Sequence, residues 1–255
     1  MGRSGKWVLI PHIEWNGTFF TTLLAILGTT ISPYLFFWQA SQEVEEEKLD
    51  PSAKPLKWAP WQPRKAFGRI RADTLVGMAL SNLIAIAIIF TTAATLNKAG
   101  VTDISSSTDA AKALEPVAGK FAFIIFAAGI IGTGLLAVPV LAGSAAFAVG
   151  EALHWKVGLA REPKEAVAFY GTLAMAAALG TGIMFTPIDP IKALYWSAVI
   201  NGICAVPVMV VMMLMAGRAD IMGDFSIRGW LRSLGWLSTV AMTLCVVGLA
   251  AQWLL

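Results

Sequence analysis

Charged side chains are scarce in this chain. Asp, Glu, Lys and Arg together make up 14% of the 255 residues, whereas hydrophobic residues make up 57%. A soluble protein carries about 25% charged and roughly 45–50% apolar residues. The mean hydropathy of the chain is +0.69. These values exclude an ordinary soluble domain and indicate an integral membrane protein.

Residue types that usually carry out chemistry are also few. The two cysteines, Cys204 and Cys245, both lie in apolar runs and lack the spacing of a disulfide framework or a metal site. The two histidines, His12 and His154, have no ligand or catalytic partner at a useful spacing. The sequence contains no Ser/His/Asp pattern, no glycine-rich phosphate loop and no paired carboxylates. We therefore expect no enzyme activity, no cofactor and no nucleic-acid partner.

Long apolar runs fill most of the chain. A helix needs about 20 apolar residues to cross a bilayer. Six segments reach or approach that length, and they predict an all-α membrane protein with a single transmembrane domain over residues 1–255. The predicted spans are 17–40, 74–96, 121–150, 166–187, 191–216 and 231–254, with a long loop at 41–72.

The distribution of Lys and Arg predicts the orientation. Most of these cations fall in the loops after the first, third and fifth spans. Positive loops face the cytoplasm, so we expect those loops to be cytoplasmic and both termini to lie outside, in a plasma (inner) membrane. A chain that begins outside without a leader suggests that earlier segments are missing.

The first predicted span is interrupted at its centre. The run Leu27-Gly28-Thr29-Thr30-Ile31-Ser32-Pro33-Tyr34 contains a glycine, three hydroxyl residues and a proline. Pro33 has no N–H, and its ring clashes with the carbonyl of residue i−4, so the helix should kink or break there. A packing kink and a broken helix that lines an ion site both fit this pattern, and the pattern alone does not choose between them.

Every polar group well inside a predicted span is neutral. Individually such groups more often join helices than bind ligands. Together with backbone carbonyls they suit a largely hydrated cation, whereas a dehydrated cation needs an anionic partner from elsewhere. The neutral polar residues are Thr29, Thr30, Ser32, Tyr34, Gln39, Ser81, Asn82, Thr133, Ser197 and Asn201.

The interrupted run resembles the unwound sixth transmembrane helix of the Nramp divalent-metal transporters. It looks most like the branch of Nramp-related magnesium transporters. Further matches lie in the second span at 73–83, in the third at 134–144, and in Ile221-Met222-Gly223 and Leu234-Gly235-Trp236. The resemblance covers nearly the whole chain.

The resemblance implies a fold and a site. The family has a LeuT-like inverted-repeat fold of about eleven helices, of which this chain would supply the sixth to the eleventh. In the family, an Asp ligand comes from an Asp-Pro-Gly motif in the first helix, and that motif is absent here. The implied metal-binding residues are Thr29 (through its carbonyl), Ser32 and Asn201, and the implied path or gating residues are Gly28, Thr30, Pro33, Tyr34 and Ser197.

Two departures from the family motif have chemical consequences. Ser32 replaces a methionine, and a thioether favours transition metals over hard ions such as Mg²⁺. Tyr34 replaces a histidine associated with proton handling, which argues against proton coupling because a phenol does not titrate near neutral pH. The resemblance thus implies transport of a divalent cation, Mg²⁺ or Mn²⁺/Fe²⁺, by alternating access.

Two alternatives remain from the sequence. The chain could be a non-transporting truncated product, or a subunit that needs a partner chain to supply helices one to five. The DNA upstream would discriminate, because an open frame encoding an Asp-Pro-Gly helix would reveal the missing half. The other alternative is an organic-solute carrier on the same fold. No cation lies inside a span to bind a carboxylate, although the N-terminus of a broken helix could do so.

Overall fold

The structure is a computed structural model that describes residues 17–49, 63–97, 100, 104, 106–112 and 114–254. These residues are almost entirely helical, and they contain no strand. The α-helices are α1 (Gly17–Thr30), α2 (Pro33–Leu49), α3 (Pro63–Thr92), α4 (Ser107–Lys112), α5 (Glu115–Ala118), α6 (Ala122–Ala152), α7 (Val167–Ile183), α8 (Pro190–Ala216), α9 (Ala219–Met222) and α10 (Trp230–Leu254). A π-helical turn, Ala93–Asn97, follows α3, and 3₁₀ turns follow α5 (Gly119–Phe121) and α9 (Gly223–Phe225).

Five helical stretches are long and apolar enough to cross a membrane. They are Gly17–Leu49 (α1 with α2), Phe67–Leu96, Gly119–Ala152, Pro190–Ala216 and Trp230–Ala251. The multi-pass membrane class predicted from the composition is therefore confirmed.

The sixth predicted span, at 166–187, does not reach spanning length. Its helix, α7, has 17 residues, or about 26 Å at 1.5 Å per residue, against a hydrocarbon core of about 30 Å. The helix ends at Ile183, and backbone turns follow with N–H groups of Met184, Phe185 and Thr186 donating to carbonyls three residues back. The apolar run continues beyond the helix, which is why hydropathy overestimated its length.

The predicted break near Pro33 is present. Helix α1 ends at Thr30, Ile31 and Ser32 are not helical, and α2 begins at Pro33. Proline suits the first position of a helix. An N–H at that position would have no acceptor within the helix, so nothing is lost without it, and the φ of proline is already helical. Helices α2 and α3 also extend into 41–72, the range predicted as a loop.

The described residues pack into two compact units. One unit comprises the described residues within Met1–Pro33 and Tyr195–Leu255, and the other comprises those within Tyr34–Leu194. The prediction of one transmembrane domain over 1–255 stays a prediction.

In the first unit, α1 packs against α8 and α10. Leu24, Val199 and Met242 are almost fully buried at the centre of its core. Glycines allow these helices to approach closely: a Cβ on Gly248 would lie 2.8 Å from the Phe20 ring, and one on Gly202 would lie 2.9 Å from the carbonyl oxygen of Leu24. Small residues serve this purpose in membrane helices, where dispersion contacts drive association.

In the second unit, aromatic rings join α2, α6 and α7. The Phe147 ring contacts Phe169 edge-on at 4.9 Å and Trp38 at 5.9 Å between ring centroids. A Cβ on Gly143 would lie 2.3 Å from the Trp38 ring. Gly143 therefore makes room for the indole, and Trp38 attaches the first turns of α2 to α6.

The second half of α2 contacts the end of α6 and the segment between α6 and α7. Ser41 donates to the Glu151 carboxylate at 2.8 Å, and the Glu45 carboxylate accepts from the backbone N–H groups of Leu159 (3.1 Å) and Ala160. By its composition alone, the acidic run at 43–47 fits either a solvated helix end or a cation-collecting mouth. In the structure this stretch is the C-terminal part of α2, and Arg69 pairs with its Glu43 and Glu46 at 3.3 and 2.6 Å.

Candidate cation site at the helix break

Three carbonyl groups near the end of α1 have hydrogen-bond partners: Leu27 keeps its helical donor, whereas Gly28 and Thr29 have lost theirs and accept from side chains. The Leu27 carbonyl accepts from the backbone N–H of Ile31 at 2.8 Å. The Gly28 carbonyl accepts from Asn201 Nδ2 on α8 at 2.7 Å. The Thr29 carbonyl accepts from Ser32 Oγ at 3.1 Å. The break is therefore stabilised by side chains, which is necessary where water is excluded.

Pro33 and Ser32 act together at the break. In a continuous helix the residue at 33 would donate its N–H to the Thr29 carbonyl, but proline has none. The Ser32 hydroxyl donates to that carbonyl instead, and Ser32 is only 8% exposed. A hydroxyl has one proton and two acceptor lone pairs, so Ser32 Oγ still has lone pairs for a cation.

Asn201 reaches the break because α1 and α8 are in backbone contact. A Cβ on Gly28 would lie 2.1 Å from the carbonyl oxygen of Ala198 and 2.8 Å from the backbone nitrogen of Gly202. No other residue type fits at position 28 without moving a helix. This close approach places the Asn201 amide against the Gly28 carbonyl.

The two threonines before the break bond to their own helix. Thr29 Oγ1 lies 2.8 Å from the Ile26 carbonyl oxygen, and Thr30 Oγ1 lies 3.0 Å from that of Leu27. Their hydroxyl protons are thus used within α1. The Thr29 side chain is exposed, and its carbonyl oxygen is the atom predicted to contact a metal.

Two predicted path residues are not drawn into this arrangement. Ser197 lies one turn before Asn201 on α8 and is exposed, and Tyr34 lies in the first turn of α2 and is half-buried. Within the described part of the chain, neither side chain has a hydrogen-bond partner. Their roles, like the metal-binding roles of Thr29, Ser32 and Asn201, stay predictions.

The site is electrically neutral. Among the described residues, no group of three or more His, Cys, Asp or Glu side chains could hold a metal ion. The oxygens near the break belong to a hydroxyl, an amide and backbone carbonyls. Such oxygens suit hard cations. A hydrated ion needs fewer protein ligands than a bare ion, because water molecules fill part of its coordination shell.

The sequence reasoning missed the partner of Asn201. It placed Gly28 along the path and Asn201 at the metal, without joining them. The glycines were the available sign of this contact. Gly28 and Gly202, which follows Asn201, both lie in apolar spans, where glycine indicates that two helices approach closely. Which two glycines face each other depends on tertiary packing.

The chain is similar to proteins that are named as divalent metal cation transporters. The "Divalent metal cation transporter MntH" of Deinococcus radiodurans is 24% identical over 233 residues, covering 91% of this chain and 49% of that transporter. The protein of the same name from Klebsiella pneumoniae is 23% identical over 233 residues, covering 91% of this chain and 50% of the relative. The chain thus spans about half the length of the curated relatives that it matches. The family described as natural resistance-associated macrophage protein-like (Nramp) matches residues 1–252. This chain belongs to the Nramp family.

Proposed function

We propose that this chain takes part in moving divalent metal cations across a plasma (inner) membrane by alternating access, with the cation bound at the break between α1 and α2. Family membership and the name of its relatives support the cation class. The observation that carries the site is the meeting of Ser32, Asn201 and two backbone carbonyls at one helix break. Broken helices provide oxygen ligands in transporters at the middle of the membrane.

Mg²⁺ is the ion that the oxygens favour. Magnesium gives up its water reluctantly and is held through hydroxyl, carbonyl and water oxygens. No thioether lies at position 32, so the preference for softer transition metals that methionine would give is absent. We therefore place Mg²⁺ ahead of Mn²⁺ and Fe²⁺ as the transported ion.

A second candidate function is that of a membrane subunit whose partner chain completes the site. The neutrality of the break favours it, because a divalent ion that loses its water needs a negative ligand. A segment with an Asp-Pro-Gly helix, in the same polypeptide or in a partner, would supply that charge. An uptake assay in proteoliposomes distinguishes these cases. Uptake is measured with and without the product of any adjacent open reading frame that encodes such a helix.

Metal uptake into proteoliposomes tests the site. Ser32→Ala removes the hydroxyl oxygen, and we expect Mg²⁺ uptake to fall by about tenfold, the equivalent of one hydrogen bond to a charged group. Ser32→Met restores a thioether, so we expect the ratio of Mn²⁺ to Mg²⁺ uptake to rise.

The matched control is Ser238→Ala on α10. Ser238 is exposed, and its one hydrogen-bond partner among the described residues is the Gly235 carbonyl of its own helix, at 2.9 Å. Uptake by this variant should equal that of the wild type. Undiminished Mg²⁺ and Mn²⁺ uptake after replacing both Ser32 and Asn201 would overturn the site assignment.

A further inference from the structure

The chemistry of the contact fixes the orientation of the Asn201 side chain. A carboxamide has one end that donates and one that accepts. The Gly28 carbonyl oxygen has no proton, so the end that lies 2.7 Å from it must be Nδ2. The other end, Oδ1, is directed away from that carbonyl.

The Gly28 carbonyl needs this donor. In an uninterrupted helix it would accept from the N–H of residue 32, but α1 ends at Thr30 and Ser32 is outside the helix. Gly28 is buried in the contact between α1 and α8. A buried carbonyl without a partner costs on the order of 1–3 kcal/mol, so removal of the amide proton would destabilise the break.

We infer that Asn201 is a positioning residue: it caps α1 by donating from Nδ2 to the Gly28 carbonyl, and this bond holds Oδ1, the atom of a carboxamide that can bind a cation, on the side away from that carbonyl. The capping role rests on the hydrogen bond and the glycine contact alone. The statement about the cation rests on the proposed function. The inference therefore predicts that a carboxylate at position 201 lowers the stability of the protein. Although a carboxylate is a better metal ligand, it has no proton to donate to the Gly28 carbonyl.

Asn201→Asp provides the decisive change because it keeps the shape and alters only the protons. An ionised carboxylate has no proton for the Gly28 carbonyl and places two oxygens against each other, whereas a protonated carboxyl can donate. Asn201→Leu has a similar size and donates at no pH. If Asn201 acted only as a direct ligand, Asn201→Asp would bind a cation better as the pH rises.

Asn82 provides a matched control on α3. Its Nδ2 also donates to a carbonyl, that of Met78 at 2.9 Å. That carbonyl lies in the middle of a helix and accepts the backbone N–H of residue 82 as well. Asn82→Asp and Asn82→Leu thus measure what a carboxylate or an apolar side chain costs within a span when no capping bond is lost.

Other titratable groups do not interfere with the pH comparison. Described α1 contains none, and α8 contributes Lys192, Tyr195 and Cys204. On α10, which packs against α1, they are Arg232 and Cys245. None of these is a carboxylate or a histidine, so the carboxyl introduced at position 201 has no second group of that kind in α1, α8 or α10.

The first measurement is the thermal melting midpoint of the purified full chain in detergent at pH 5 and at pH 8. Tryptophan fluorescence monitors the melting. Relative to the wild type at the same pH, Asn201→Leu should melt about 2–4 °C lower at both pH values. Relative to the wild type at the same pH, Asn201→Asp should melt lower at pH 8 than at pH 5, because ionisation removes the proton that the Gly28 carbonyl accepts. The Asn82 variants should shift less than their Asn201 counterparts.

Two outcomes would overturn the inference. One is an Asn201→Leu protein as stable as the wild type, and the other is an Asn201→Asp protein that becomes more stable, relative to the wild type, from pH 5 to pH 8. The second measurement is Mg²⁺ uptake by Asn201→Asp, relative to the wild type at each pH. A relative uptake that falls from pH 5 to pH 8 supports positioning, and one that rises overturns it in favour of direct ligation.

The two proposals fail separately. If the wild-type chain takes up neither Mg²⁺ nor Mn²⁺, the proposed function fails, yet the melting series still decides whether Asn201 caps α1. If uptake is present and the melting series shows no capping, the inference fails while the transport function stands.

Discussion

Gly28 carries three demands at one position. Its missing side chain admits the backbone of α8, its carbonyl accepts a proton from the Asn201 amide, and it lies two residues before the end of α1. The first two demands depend on each other, because the amide reaches the carbonyl only while the helix backbones touch. A change at this residue therefore alters packing and hydrogen bonding together.

We expect Gly28→Ala to lower the stability of the protein. The added Cβ would lie 2.1 Å from the Ala198 carbonyl oxygen, and forced overpacking of this kind costs about 1–3 kcal/mol. Thermal melting followed by tryptophan fluorescence would show the effect as a reduced midpoint.

The control for this change is Gly77→Ala in α3. No atom lies within 4 Å of a Cβ built on Gly77. Alanine is about 0.5–1 kcal/mol better than glycine inside a helix, so this variant should be as stable as the wild type or slightly more so. Equal melting midpoints for the two variants would show that the close approach of α1 and α8 does not limit stability.

At the scale of elements, α2 is held at both of its ends within its own unit. Trp38 packs on Gly143 near the start, and Glu45 binds two backbone N–H groups near the finish. Gly158 allows the second contact, because its φ is +138° and a Cβ there would lie 3.1 Å from a Glu45 carboxylate oxygen. The Tyr170 hydroxyl bonds to the carbonyls of Leu159 and Arg161 at 3.2 and 3.0 Å, which orders the same segment.

We expect Glu45→Gln to loosen the segment 157–161. A carboxylate accepts both N–H groups with charge-assisted bonds, whereas a neutral amide has one oxygen and one nitrogen that cannot accept. Loss of about 1.5 kcal/mol would raise local amide exchange by roughly tenfold. Hydrogen–deuterium exchange measured by mass spectrometry on peptides that cover 157–161 would detect this change.

Glu47→Gln is the corresponding control. Glu47 lies two residues further along α2, and its side chain has no hydrogen bond or ion pair with the described residues. Exchange in 157–161 should be unchanged in this variant. If Glu45→Gln gives the same exchange as Glu47→Gln, the carboxylate does not hold the segment.

At the scale of the whole molecule, the charge pattern predicts which loops face the cytoplasm. The segments before and after α7 lie on opposite sides of the membrane in that prediction. In a protein whose native cysteines are replaced by serine, Thr186→Cys should react with a membrane-impermeant maleimide added to intact cells, and Glu162→Cys should react only after the cells are opened. Both positions are exposed, so burial does not explain a difference.

The reverse labelling pattern would place both termini inside and contradict the prediction. Labelling of neither position in intact cells would place both ends of α7 on the cytoplasmic side. That result would also explain why α7 is shorter than a membrane span.

Several features follow from the sequence alone. Apolar composition indicates a membrane protein, because charged groups are costly in hydrocarbon and their scarcity is visible without a fold. Pro33 predicts the break, since the missing N–H is a covalent property of the residue. The family resemblance rests on local motifs, and it is confirmed by the match over residues 1–252. The count of six spans is confirmed for five, and the sixth stays a prediction because hydropathy does not detect where the helix in 166–187 ends.

Only the tertiary structure decided which groups meet. Asn201 is 173 positions from Gly28 in the chain, and no local pattern specifies which of several neutral polar residues satisfies a given carbonyl. Likewise, the sequence does not distinguish Glu45 from the other residues of its acidic run. The structure does, because the Glu45 carboxylate accepts from two backbone N–H groups. A sequence determines where a backbone loses its own hydrogen bonds. The side chain that replaces them is determined by which helices pack together, and in this protein that packing is permitted by Gly28 and Gly202.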